Sequence, residues 1–217
     1  MRKQFVTCVI MFGIENFGAF VATGILLNMT PGAGTMYILG KSLSGGTKSG
    51  VISVMGICTG SAMHTLLTAF GLSALLAESQ LAFDIVKYLG AIYLIGLGCK
   101  LIFSNKKMEG VHVSKKESYK KIYLSGALTN LLNPKVALFY IAFLPQFVNP
   151  EFEMPLLSFL ILGFTYVFTG VLWCTLLAIF SARFSEKIQQ NQKIKKWLDK
   201  ISGVVFVSFG IKLAISK

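Results

Sequence analysis

Long apolar segments, separated by short polar ones, constrain this chain of 217 residues more than any other feature. An α-helix needs about 20 consecutive apolar residues to cross the hydrocarbon core of a bilayer. Only 14% of the residues are charged and 54% are hydrophobic, a balance far from that of an average soluble domain. We therefore expect an all-α, polytopic membrane helix bundle that forms a single transmembrane domain over residues 1–217. Breaks in hydropathy predict six spans, at residues 16–40, 50–77, 81–103, 121–147, 155–182 and 198–216.

The charged residues are distributed unevenly among the loops between these spans. Lys and Arg are concentrated after the first, third and fifth spans, whereas Glu78, Asp84, Glu151 and Glu153 lie in or next to the second and fourth loops. Because cytoplasmic loops are rich in Lys and Arg, we predict a basic cytoplasmic loop at about 104–120 and both termini outside. Membrane orientation thus explains the net charge of +12, and no nucleic-acid partner is expected.

The first residues conflict with this orientation, since Arg2 and Lys3 would lie outside. The apolar run that follows them continues into the first span without a small-residue cleavage site, so we do not expect a signal peptide. A start at Met11 would remove both charges. The sequence is compatible with a translation start at Met1 and with one at Met11.

Two segments of the chain resemble each other. TGILLNMTPGAGTMYIL (23–39) and SGALTNLLNPKVALFYI (125–141) each contain a Gly, then an Asn, then a polar residue before Pro, with Tyr-Ile at the same distance beyond it. Each segment begins a block of three spans, about 14–103 and 121–217. Because three is odd, the blocks cross the membrane in opposite senses. We therefore predict two inverted three-helix repeats with broken helices 1 and 4.

Candidate binding residues lie where proline interrupts spans one and four. Proline removes an amide donor and glycine loosens the backbone, so polar groups at the break need partners from the protein, from water or from a ligand. A packing kink is the alternative, but two matched breaks favour a substrate or ion site. The candidates are Thr30, Pro31, Gly32 and Gly34 in the first segment, and Asn130, Asn133, Pro134 and Lys135 in the second.

Lys135 is an unusual residue for the middle of an apolar span, where a charge costs on the order of 3 kcal/mol. A shift of span four would place it near the cytoplasmic end instead. However, Lys120 and Lys121 mark that end some 15 residues earlier, which argues against the shift. We expect Lys135, together with amides freed near Pro31, to bind an anionic group. Carbonyls at the breaks and the Asn130 and Asn133 side chains suit a cationic one.

His64 is a further candidate, in span two. Gly56, Gly60 and His64 are spaced by four residues and therefore share one helix face. The glycines would permit close helix contact there, which would direct His64 into the bundle. A structural histidine and a proton-linked role are both open.

The sequence contains no motif of an enzyme or metal centre. It has no HExxH, no GxSxG and no paired carboxylates within the spans. The four cysteines, Cys8, Cys58, Cys99 and Cys174, are isolated in the sequence, and we interpret them as small apolar residues. No cofactor and no bound metal are expected.

At these residues the chain resembles the LysE-type translocators, a family of amino-acid exporters that includes homoserine and threonine exporters. The Pro-Gly turn of span one, the G-x-x-x-G-x-x-x-H face of span two and NPK in span four occur in the family's order and spacing. The matching stretches cover most of residues 24–147. One departure is that Ala33 and Gly34 stand where the family usually has Pro and then Asn or Asp.

The resemblance implies a secondary exporter of amino acids or related small metabolites in the bacterial inner membrane. It further implies a proton-gradient drive, and we expect alternating access around broken helices 1 and 4. Its partners would be a small-molecule substrate, membrane lipid and, as a candidate, a second copy in a homodimer. The alternatives are export of a metal cation, as in cadmium-resistance relatives of the superfamily, and a membrane-embedded enzyme.

Overall fold

The computed structural model describes residues 12–103, 117–180 and 192–215. Regular structure in these ranges is helical, apart from an isolated β-bridge between Ile14 and Val148. The prediction of an all-α protein is confirmed. After α5 the chain continues as a π-helical turn, Phe139–Phe143, and a 3-10 turn, Leu144–Phe147. The α-helices are α1 (Phe17–Met29), α2 (Ala33–Glu78), α3 (Gln80–Phe103), α4 (Tyr119–Leu131), α5 (Pro134–Leu138), α6 (Pro155–Ile179) and α7 (Gln192–Ile215).

Both predicted helix breaks are present. The first separates α1 from α2 at Thr30–Gly32, and the second separates α4 from α5 at 132–133. The range Ala33–Glu78 contains two helices that meet at Gly46, whose φ of 76° and ψ of 180° are not helical, so the predicted loop between spans one and two is a tight turn at this residue. Glycine adopts positive φ without steric cost. A single residue therefore turns the chain.

Within the described residues, two segments are long and apolar enough to cross a membrane: Ala33–Leu75, which contains the kink at Gly46, and α6. The pair Tyr119–Leu131 and Pro134–Phe147, bent by 48°, makes a third if it counts as one span. Helix α1 is shorter, because the first break ends it. Beyond these candidates, the six-span count and the inverted repeats stay predictions. Most of the predicted basic loop and the two alternative starts lie outside the described residues.

Close helix contacts hold α2 against α4. A Cβ atom on Gly56 would overlap the carbonyl oxygen of Tyr123, and one on Gly60 would lie 2.8 Å from that of Ala127. The prediction that small residues on this face permit close contact is confirmed. Helix α2 also packs on α6, and α3 packs on α7.

Aromatic side chains connect α1 to the segment that follows the second break. Phe20 of α1 packs against Phe147 with ring centroids 5.2 Å apart, and Phe139 and Phe143 complete the cluster. All four are buried. Burial of such large apolar side chains stabilises the contact and holds the two breaks side by side.

Candidate functional site

The two breaks line a partly open cavity of about 60 Å³. This volume accommodates several water molecules or the atoms of a small polar solute. Its wall is built from α1, the first half of α2, the middle of α2, both breaks and α6. The lining residues are Leu27, Asn28, Thr30, Gly32, Gly34, Thr35, Ile57, Cys58, Ser61, Asn130, Asn133, Lys135, Val136, Tyr166, Val167, Gly170 and Cys174.

Most of the predicted site residues lie on this wall. Those brought together are Thr30, Gly32, Gly34, Asn130, Asn133 and Lys135. Pro31, Pro134 and His64 are not among the described residues that line the cavity. The prolines shape the site by ending helices, and their contact with a ligand stays a prediction.

The first break leaves the start of α2 without a side-chain cap. Thr30 ends α1, and its hydroxyl donates to the carbonyl oxygen of Leu26 at 2.8 Å. The N-cap of α2 is Gly32, an extended residue that has no side chain to accept from the first amides of the helix. Gly34 and Thr35 of that first turn line the cavity. A helix N-terminus carries partial positive charge and favours an anion.

Lys135 extends from the second break to the first. Its ammonium donates to the carbonyl oxygen of Thr30 at 3.2 Å and to that of Leu27 at 3.4 Å. These carbonyls lie at the C-terminal end of α1, where the helix dipole favours a cation. Among the described residues that line the cavity, Lys135 is the only charged one. The fixed charge of the wall is therefore positive.

The second break is capped within the protein. The side-chain oxygen of Asn133 accepts from the backbone amide of Lys135 at 3.1 Å, which caps α5. We expected this oxygen to suit a cationic group, and its first partner is instead the helix. Because an amide oxygen can accept a second hydrogen bond, a ligand role for Asn133 stays a prediction.

Asn130 joins α4 to α2. Its amide nitrogen donates to the carbonyl oxygen of Ile57 at 2.9 Å and to the hydroxyl of Ser61 at 2.7 Å. These bonds orient its oxygen, which lies 3.9 Å from the position that a Cβ on Gly34 would take. A neutral acceptor is thus held on the cavity wall.

His64 lies beside the second break. It is buried, and its Nε2 is 3.1 Å from the carbonyl oxygen of Leu131, a hydrogen bond that requires a proton on Nε2. Its ring stacks on that of Tyr140 with centroids 5.6 Å apart. The predicted orientation into the bundle is confirmed, while its structural and proton-linked roles both stay predictions.

Several lining residues were missed in the sequence. Asn28 donates to the hydroxyl of Thr169 on α6 at 3.2 Å. The repeated segments contained a signal for it, since Asn28 and Asn130 each follow a glycine by four residues. Cys58 and Cys174, interpreted as apolar, also line the cavity. Within the described ranges, no group of three or more His, Cys, Asp or Glu could hold a metal.

Known proteins resemble this chain over nearly its whole length. The uncharacterized membrane protein YrhP of Bacillus subtilis (strain 168) is 33% identical, over 91% of this chain and 98% of its own. Leucine efflux proteins of Enterobacter sp. (strain 638) and Klebsiella pneumoniae subsp. pneumoniae are 30% and 28% identical, each over 94% of this chain and over 97% and 96% of their own. No solved structure matches. The family model described as LysE type translocator matches residues 25–217, and the chain therefore belongs to this family of membrane transporters.

Proposed function

We propose that the protein is a secondary exporter of amino acids across the bacterial cell membrane. The observation that carries the proposal is the ammonium of Lys135, placed at the first break beside an N-terminus of α2 that has no side-chain cap. The substrate is an aliphatic amino acid, and its carboxylate binds between these two groups.

The site attracts an anionic group from two directions. Lys135 supplies a full positive charge, and the first turn of α2 supplies backbone amides and the positive end of the helix dipole. Hydrogen bonds to ionised partners are about twice as strong as neutral ones. The same charge repels a metal cation, so the site favours an amino acid over the metal alternative.

The ammonium of the substrate needs acceptors, and neutral oxygens supply them. Asn130, Ser61 and Asn28 each place a polar side chain on the cavity wall. The oxygen of Asn130 is the best placed, because the amide nitrogen of this residue is already engaged with Ile57 and Ser61. A zwitterion would thus contact Lys135 with one end and the Asn130 side of the wall with the other.

The rest of the wall is apolar, which suits an aliphatic side chain. It includes Leu27, Ile57, Val136, Tyr166 and Val167. The names of two relatives, leucine efflux protein, support the same substrate class.

Two hydrogen bonds support the inverted repeat that alternating access requires. Asn130 on α4 bonds to Ile57 on α2, and Asn28 on α1 bonds to Thr169 on α6. Broken helices 1 and 4 would thus each be bonded to the second span of the other half, as a pseudo-two-fold relation between residues 14–103 and 121–217 requires. In this proposal the halves form six spans and rock around the cavity, driven by the proton gradient.

Substitution of Lys135 tests the proposal. Lys135→Met removes the charge at similar length; the apolar span then inserts more readily, while two carbonyls of α1 lose a donor. We expect membrane abundance within about twofold of the parent and loss of export. Lys135→Arg keeps the charge in a planar fork and should be partly active. Lys121→Met, at an exposed position of α4, is the matched control.

Export is measured in cells preloaded with radiolabelled L-leucine, with abundance measured in the same membranes. Growth on cadmium salts tests the metal alternative in parallel. A Lys135→Met protein that is normally abundant and exports leucine at the parental rate would contradict the proposed role. Cadmium resistance without leucine export would instead support export of a metal cation.

A further inference from the structure

We propose that Gly34 and Gly170 determine which amino-acid side chains fit the cavity, and that the space beside these two glycines receives the aliphatic side chain of the substrate. The inference rests on the proposed function. It names the specificity-determining positions of the same site, on two different helices of its wall.

Gly34 lies in the first turn of α2, two residues after the N-cap. A Cβ built on it would lie 3.5 Å from Cδ1 of Ile57 and 3.9 Å from the side-chain oxygen of Asn130, which are ordinary van der Waals distances. One added carbon therefore fits without displacing the wall. Both neighbours line the cavity, so any larger side chain at this position would extend into the space of the substrate.

Gly170 has the same property on α6. Its Cβ would lie 3.4 to 3.7 Å from atoms of the Asn28 side-chain amide, again at ordinary contact distance, and both residues line the cavity. An added methyl group would occupy the part of the cavity beside Asn28.

The glycines at the interface of α2 and α4 differ from these two. A Cβ on Gly56 or Gly60 would collide with backbone atoms of α4, so helix packing explains their size. No such collision explains Gly34 and Gly170. Glycine is a poorer helix former than alanine, and at these two positions alanine would be sterically allowed. We therefore infer that glycine at positions 34 and 170 leaves space for the substrate in the cavity.

The positions relative to Lys135 indicate which part of the substrate they meet. A Cβ on Gly32 would lie 3.8 Å from Nζ of Lys135, which marks the carboxylate end of the cavity. Gly34 lies two residues further along α2, next to the apolar side chain of Ile57. The aliphatic side chain of the substrate would therefore lie in the cavity next to Gly34 and Ile57, where a larger side chain at position 34 competes with it for space.

The test measures export of L-leucine, L-valine and L-alanine by the parent and by Gly34→Ala, Gly34→Val and Gly170→Ala. We expect the ratio of leucine to alanine export to fall about tenfold in Gly34→Ala, since one methylene changes discrimination by roughly this factor. Gly34→Val should lower it further, and Gly170→Ala should lower it in the same direction. Gly71→Ala, on α2 with no atom within 4 Å of the added carbon, is the control and should leave it unchanged.

Thermal stability of each purified variant shows whether it folds. If the variants of Gly34 do not fold, the leucine-to-alanine ratio of Gly170→Ala decides the outcome. Folded variants whose leucine-to-alanine ratio stays within about twofold of the parent would overturn this inference and leave the proposed function intact. A parent that exports none of the three amino acids would overturn the proposed function and this inference with it.

Discussion

The two helix breaks arise from the same device, a proline in an apolar span, yet their polar groups are satisfied in different ways. At the second break, Asn133 caps the start of α5, and His64 lies within hydrogen-bond distance of the carbonyl of Leu131. At the first break, Gly32 offers α2 no side-chain cap, and the carbonyls of α1 accept from Lys135, which belongs to the other break.

This difference assigns different roles to the breaks. Neutral side chains of the protein cap the second break, which makes it part of the scaffold. The first combines a positive charge with a helix start that faces the cavity, and its backbone can accept an anionic ligand without displacing a side-chain cap. Two similar sequences thus produce a capped break, which contributes Lys135 to the cavity, and an uncapped break, which is the candidate site for an anionic group.

The largest expected effect on export comes from introducing a carboxylate side chain at the first break. Gly32→Asp would place a carboxylate at the N-cap of α2, beside the ammonium of Lys135, where the Cβ already fits at 3.8 Å from Nζ. As an internal competitor it should reduce leucine export about 100-fold. Helix capping should keep the protein folded.

Gly32→Asn is the control for this change, because it has nearly the same shape without the charge. We expect it to retain much more export than Gly32→Asp. Equal export by the two variants, measured at equal membrane abundance, would show that the first break does not bind an anion.

A smaller effect is expected at the second break. Asn133→Ala removes the cap of α5 and should lower the free energy of unfolding by about 1 kcal/mol. Export should fall by less than tenfold, because the cavity keeps Lys135 and the start of α2. Denaturant unfolding in detergent and leucine export measure the two quantities.

Asn149→Ala is the matched control, since Asn149 makes a similar turn hydrogen bond, from the Glu151 amide at 2.9 Å, outside the breaks. It should change stability by less than about 0.5 kcal/mol. If Asn133→Ala instead abolished export without loss of stability, the second break would belong to the binding site as well.

The smallest effect is expected for His64→Gln. Glutamine keeps a donor for the carbonyl of Leu131, so a structural role predicts export within about twofold of the parent and an unchanged pH dependence. His64→Leu, which removes the donor, should lower the free energy of unfolding by about 1 kcal/mol. A folded His64→Gln protein whose export no longer responds to pH would establish the proton-linked alternative.

Local sequence patterns predicted the parts of the structure that depend on local chemistry. Proline cannot donate the amide that continues a helix, so the breaks before Pro31 and Pro134 were predictable from single residues. The four-residue spacing of Gly56, Gly60 and His64 likewise specifies a helix face, and both the close contact with α4 and the inward histidine are confirmed.

The partners of those local features depend on which segments pack together, and no pattern within one segment contains that information. The sequence marked Lys135 as a charge that needed a partner, and only the packing of the two breaks placed it on the carbonyls of α1. It marked Asn133 as a ligand, and the fold uses it first as a cap. Tyr166 and Cys174 reached the cavity from α6 without any signal, because the identity of a neighbour is set by tertiary contact and not by position in the chain.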